Sequence, residues 1–76
     1  MKEKLRALFA DVLEVESSMI TDNLAYSGIP EWDSVAHMAI IAEIEDVFDI
    51  MIDTDDVIGM SSFAIACDTV LRLQEE

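Results

Sequence analysis

Between Ala7 and Leu71 the sequence contains no lysine and no arginine. Its four basic residues, Lys2, Lys4, Arg6 and Arg72, stand near the ends against 17 acidic ones, for a net charge of −13. A chain this short of cations has nothing with which to neutralise phosphates, which excludes nucleic-acid binding. The same shortage disfavours docking on an anionic membrane. The partners it can attract are basic protein patches, steered by long-range attraction.

Cysteine is equally scarce. Cys67 stands alone, so no intramolecular disulfide can form, which fits a reducing compartment. With one cysteine and one histidine, no zinc site can be built. Asp53-Thr54-Asp55-Asp56 begins like a calcium loop but lacks the glycine and glutamate that such a loop needs further on, so no metal is expected. No apolar run reaches the roughly 18 residues that span a bilayer. The opening MKEKLRALFADVL has its apolar stretch broken by Asp11, so it reads as no signal peptide and the cytoplasm is the expected address.

Only two glycines and one proline are present, too few for the turns of a strand-rich domain, so an all-α fold is expected. The chain is nevertheless no disordered polymer, because 53% of its residues are hydrophobic. Its 76 residues are expected to form a single domain, 1–76, with a small core. A chain this small favours a module over an enzyme with a deep cleft.

Leu5, Leu8, Phe9, Val12 and Leu13 recur at helical spacing and predict an amphipathic helix over about Lys2 to Val15. Residues 16–33 lose that period and predict a long loop, anchored by Met19, Ile20, Leu24, Ile29 and Trp32, with Gly28 free to take a positive φ. The strongest helix runs from Ser34 to about Phe48, with Asp33 as its N-cap and Val35, Met38, Ile41, Ala42, Val47 and Phe48 sharing a face that Ile40 and Ile44 widen. A short helical turn follows over Asp53 to Ile58, ended by Gly59. Ser61 or Ser62 then caps a last helix, about Phe63 to Gln74, whose inward face holds Phe63, Ala66, Cys67, Val70 and Leu71. The sum is a four-helix bundle, three longer helices and one short, with a long first loop.

The informative stretch is Gly28-Ile29-Pro30-Glu31-Trp32-Asp33-Ser34-Val35-Ala36-His37-Met38. A hydroxyl residue opens a long helix directly after an acid. That displays the Ser34 hydroxyl at the positive end of the helix dipole, where backbone N–H groups are free to meet a phosphate. Here the sequence resembles the acyl carrier protein family, which marks its modification site with Asp-Ser and an aliphatic residue at the start of its second helix. Asp33-Ser34-Val35 matches, with Val in place of the commoner Leu. Ile44 to Ile50 resembles the acidic end of that helix, Asp53 to Asp56 the third helix, and Met60-Ser61-Ser62-Phe63 the start of the last.

The resemblance implies that a phosphopantetheinyl transferase moves 4′-phosphopantetheine from coenzyme A onto Ser34, and that the thiol of the arm carries acyl groups as thioesters. Ser34 is then an attachment point, and the chain is not itself an enzyme. Asp33 is implied to help the transferase recognise the site, alongside its role as a cap. The expected docking surface for acyl-loading and acyl-using enzymes with basic patches comprises Val35 and Met38 with the acids Glu43, Glu45, Asp46, Asp49, Asp53, Asp55 and Asp56. Those are seven acids in fourteen residues with no cation among them. One departure from the family matters: two and five residues after the serine, where many fatty-acid-type carriers have acids, stand Ala36 and Ala39. This implies a specialised carrier rather than a general one, and the run from Pro30 to Met38 resembles free-standing carriers of secondary or surface-polysaccharide pathways. A carrier for aminoacyl or peptidyl groups, and an unmodified acidic adaptor, are the alternatives. A monomer is expected.

Other residues invite plainer readings. His37 lies one turn after Ser34, but the chain offers no third member of a triad, so a surface histidine is expected, with a place near the arm's phosphate as the lesser reading. Cys67 is expected to be a buried, inert thiol. Met19, Met38, Met51 and Met60 are read as a plain core or as one that can part around an acyl chain. Trp32 is expected to pack the loop onto the bundle.

Overall fold

The computed structural model of the protein describes residues 1–75; the last residue of the expected 1–76 domain lies outside that range. Four α-helices are present among the described residues: α1 Lys2–Leu13, α2 Ser34–Phe48, α3 Thr54–Gly59 and α4 Phe63–Glu75, with one 3₁₀ turn at Ser17–Met19. No named strand occurs among them, only an isolated antiparallel bridge between Ala25 and Ser62. This is the helical bundle with a long first loop that the sequence predicts.

The two longer helices that open the chain end in the same way. Glu14, after α1, and Asp49, after α2, both take left-handed backbone angles, with φ of 58° and 54°. The Val15 N–H then reaches back to the Ala10 carbonyl and the Ile50 N–H to the Glu45 carbonyl, satisfying carbonyls that the helix leaves orphaned. Helix α1 therefore stops at Leu13, two residues before the expected end, although no glycine marks the spot. Gly59 plays no such part: it lies inside α3, and no glycine has a positive φ. In the first loop Ser27, not Gly28, takes the left-handed conformation, at φ 65°. What requires Gly28 is space, since a Cβ there would sit 2.8 Å from the Ala25 carbonyl oxygen.

The core gathers around three aromatic rings. Phe9 of α1 meets Trp32 of the loop and Phe63 of α4 edge-on, each at 5.2 Å between ring centres. Leu5, Ile20, Ile40, Ile44, Met60 and Val70 complete its fully buried part. Burying such a side chain contributes about 1.5–3 kcal/mol. The α2 stripe that faces this core is His37, Ile40, Ile41 and Ile44. This corrects the expected phase: Val35 and Met38 are 79% and 56% exposed, and Val47 and Ala42 also face outward. In α4 the buried face is Phe63, Ala66, Thr69 and Val70, with Cys67 half-buried and Leu71 exposed. Of the loop anchors, Ile20, Leu24 and Trp32 are buried and Ile29 packs beside them, but Met19 is exposed. The methionines are mostly outside as well: Met60 alone of the four singled out is buried.

The first loop is tied down at both ends. Asp22 accepts hydrogen bonds from Lys2 at 2.9 Å and Arg6 at 3.0 Å, and the Arg6 guanidinium also donates to the Ile20 carbonyl. At the far end, the Tyr26 N–H bonds to the Ser61 carbonyl and the Phe63 N–H to the Leu24 carbonyl, which fastens the loop to the start of α4. Helix α3, in contrast, contributes no buried residue of its own.

Candidate functional site

The site begins with a cap. Asp33 has extended backbone angles and its carboxylate accepts the Ala36 N–H at 2.8 Å, as the sequence predicts for an N-cap. The residue after the cap is the first of the helix, so Ser34 opens α2 with its side chain in solvent. The N–H groups of Ser34 and Val35 belong to the first turn and have no carbonyl one turn back to receive them. A phosphate monoester or diester on the Ser34 hydroxyl would lie against these donors and the positive end of the helix dipole. The site therefore fits a phosphate-linked group.

Trp32 fixes the approach to that serine from below. Its ring is fully buried, and its indole Nε1–H donates to Nδ1 of His37 at 3.0 Å. The other imidazole nitrogen, Nε2, lies 2.9 Å from the Val57 carbonyl of α3. An indole N–H can only donate and a carbonyl can only accept, so Nδ1 is bare and Nε2 carries the proton. His37 is 9% exposed and stacks on Trp32 at an interplanar angle of 25°. The expected surface histidine is thus a buried one with both nitrogens occupied. It is not available as a base for the Ser34 hydroxyl. A signal for its burial existed: residues 37, 40, 41 and 44 keep helical spacing on one face.

Beside Ser34 lies a cavity of about 270 Å³, lined by Tyr26, Ser34, His37, Met38, Val57, Ile58, Met60 and Ser61. Its walls are largely apolar and come from the first loop, α2, α3 and the segment joining α3 to α4. Nothing in the local sequence around Ser34 announces it, because Ile58 and Met60 lie far along the chain. Ile58 is 76% exposed and joins Val35 and Met38 in leaving apolar surface uncovered near the serine.

The acids divide into two groups. Glu45 accepts the Ile52 N–H at 2.8 Å and so holds the connector between α2 and α3. Asp53 caps α3 through the Asp56 N–H at 2.9 Å, and Asp56 pairs with Arg72 at 2.6 Å. These three have structural duties. Glu43, Asp46, Asp49 and Asp55 are exposed, and no side-chain hydrogen bond or ion pair engages them among the described residues. Burial pushes the Cys67 thiol up from its ordinary range, in keeping with an unreactive role. Among the described residues no group of carboxylate, histidine and cysteine side chains could hold a metal ion, and no helix is long and apolar enough to cross a membrane.

A family model described as the phosphopantetheine attachment site covers residues 3–70. A search of curated proteins returns no match.

Proposed function

Since the chain belongs to the phosphopantetheine-attachment family, whose covalent cofactor is 4′-phosphopantetheine, we propose that Ser34 is the residue that carries the arm and that the protein is an acyl carrier. One observation carries this reading. Ser34 is an exposed hydroxyl at the first position of a capped helix, at the lip of an apolar cavity. An arm rooted there holds its thiol in solvent for partner enzymes and can fold a thioester-bound acyl chain back onto apolar walls. The cavity favours an acyl cargo over an aminoacyl one, whose ammonium group would lose its hydration against such walls. It also favours a loaded carrier over an unmodified adaptor.

In this reading the protein is not an enzyme. Partners act on it, and Asp33 serves the transferase by its charge as well as α2 by its cap. Val35, Met38 and the unengaged acids Glu43, Asp46, Asp49 and Asp55 form the surface on which basic partners dock, with Glu45, Asp53 and Asp56 adding charge from their structural positions. In this reading residues 1–76 form one carrier domain that works as a monomer in the cytoplasm. Alanine at positions 36 and 39 leaves the turn beside the arm without the acids expected of a general fatty-acid carrier, which supports a specialised pathway. Efficient chain elongation on this carrier by a general fatty acid synthase set would overturn that last point.

The test of the whole reading is an intact-mass measurement after incubation with coenzyme A, magnesium and a broad-specificity phosphopantetheinyl transferase. Wild type gains one phosphopantetheine group and Ser34→Ala gains none. A gain on Ser34→Ala, or no gain on folded wild type while a reference carrier is modified in parallel, overturns it.

A further inference from the structure

Helix α3 has no fully buried side chain; Val57 alone of its apolar residues packs partly against the core, between buried Ile52 and Met60 at the helix's two ends, so bonds from other elements add to its placement. Two side-chain bonds do. Arg72 pairs with Asp56 at 2.6 Å, but its side chain is 52% exposed, and such a surface pair is worth little. The second bond is from Nε2–H of His37 to the Val57 carbonyl, and it is partly buried. Both of its residues line the cavity beside Ser34.

Burial orders that lining by depth. Ser34, Met38, Ile58 and Ser61 are exposed and form the rim, while His37 at 9% and Met60 at 1% form the floor. The two floor residues differ in how they can yield. A methionine side chain adapts by rotating its unbranched thioether. The imidazole cannot turn without breaking a hydrogen bond, because Trp32 holds one nitrogen and Val57 the other, and the Tyr26 ring stands edge-on at 5.4 Å.

We propose that the His37–Val57 hydrogen bond limits the size of the acyl group this carrier shelters. A group that fits the preformed cavity leaves the bond intact; a longer chain has to break it and push α3 away from α2. The inference rests on Ser34 bearing the arm. A cavity of about 150 Å³ holds a benzene ring, so one of about 270 Å³ is filled by roughly ten carbon atoms. Beyond that length the chain either stays in water or leaves the imidazole N–H without a partner and the Val57 carbonyl with only the long bond from the Met60 N–H.

The experiment loads the arm with butyryl, octanoyl and hexadecanoyl groups, each verified by intact mass, on wild type, His37→Gln and His37→Asn. Melting temperature reports shelter of the chain, and ¹⁵N shifts of the wild-type imidazole report the Nε2 proton. Glutamine can reach the Val57 carbonyl in place of Nε2. Asparagine offers Trp32 an acceptor in place of Nδ1 but falls short of Val57. In wild type and His37→Gln, the melting temperature rises from butyryl to octanoyl and gains nothing more with hexadecanoyl; in wild type any further gain comes only with loss of the Nε2–H signature. In His37→Asn it goes on rising to hexadecanoyl. A hexadecanoyl chain that stabilises wild type with the Nε2–H signature intact overturns the proposal, as do equal profiles for the two variants. If a variant does not fold, the wild-type series decides alone. Failure of the attachment reading is separately visible, as the absence of any mass gain before a chain is loaded.

Discussion

The indole N–H of Trp32 donates to Nδ1 of His37 across 3.0 Å, so that the residue two before Ser34 and the residue three after it are bonded to each other beneath the serine. The loop and the helix that meet at Ser34 are thereby held in one arrangement. Replacing Trp32 by phenylalanine removes the donor and leaves a buried imidazole nitrogen unpaired. The expected loss is about 1–3 kcal/mol for the unpaired group, with more for the lost volume. Urea unfolding measures it, and mass analysis of the folded fraction will show that Ser34 can still be modified.

Asp33 has two roles that substitution can separate. Asparagine caps a helix about as well as aspartate but carries no charge, whereas alanine does neither. Asp33→Ala is expected to cost about 0.5–2 kcal/mol and Asp33→Asn close to nothing. If the transferase reads the charge, both variants are modified slowly; if it needs only an ordered helix start, Asp33→Asn is modified at the wild-type rate. Modification rates beside unfolding curves distinguish the two.

Gly59 sits inside α3 with a negative φ, and a Cβ there would meet nothing within 4 Å. Gly59→Ala is therefore expected to raise stability by about 0.4–1 kcal/mol, mostly by restricting the unfolded chain. Thermal unfolding checks the sign. A loss would show that α3 needs the freedom of a glycine at its end.

The Asp22 carboxyl is held below its ordinary value of 3.8 by hydrogen bonds, first from Lys2 and then from Arg6. The unfolded chain gives up that advantage and binds the proton more readily. The contribution is therefore present in full above the ordinary carboxylate range and is lost as pH falls through the lower folded value. Asp22→Asn lowers the melting temperature at neutral pH and low salt. The gap to wild type closes in strong acid and, because the pair is exposed, also in concentrated salt. A gap unchanged by either treatment would locate the effect in loop packing instead.

Much of the fold could be read from local pattern because local chemistry determines it. Asp33 is the expected cap, Ser62 is one of the two serines expected to cap the last helix, and Asp53, expected inside the short helix, caps it instead; each accepts the backbone N–H three residues on. The end of α2 at Phe48 was legible from its pattern, but the end of α1 at Glu14 was not, since nothing in that residue type announces a left-handed conformation. The phase of α2 was obscured for a different reason. Val35, Met38, Ile40, Ile41, Ile44, Val47 and Phe48 put apolar groups on every side, and the face that packing selects is the one headed by a histidine. That choice makes sense only once Trp32 and Val57 are both in place to satisfy its nitrogens, and they lie on a loop and on another helix. The same holds for the candidate site: Ser34 and its cap are contiguous in sequence, whereas the cavity beside them is assembled by tertiary contact.

Val35, Met38 and Ile58 lie bare near the serine, and on a particle this small such an oily area would ordinarily make copies of the molecule cling together. Each copy also carries a charge of −13, so two of them repel before their apolar surfaces can touch. The stickiness is masked, and what unmasks it is a visitor that brings cations. The charge that burdens folding therefore acts as a password: acidic proteins of a crowded solution are turned away at a Debye length, about 8 Å at physiological salt, neutral ones are not drawn in, and a basic surface is pulled close enough to find the patch.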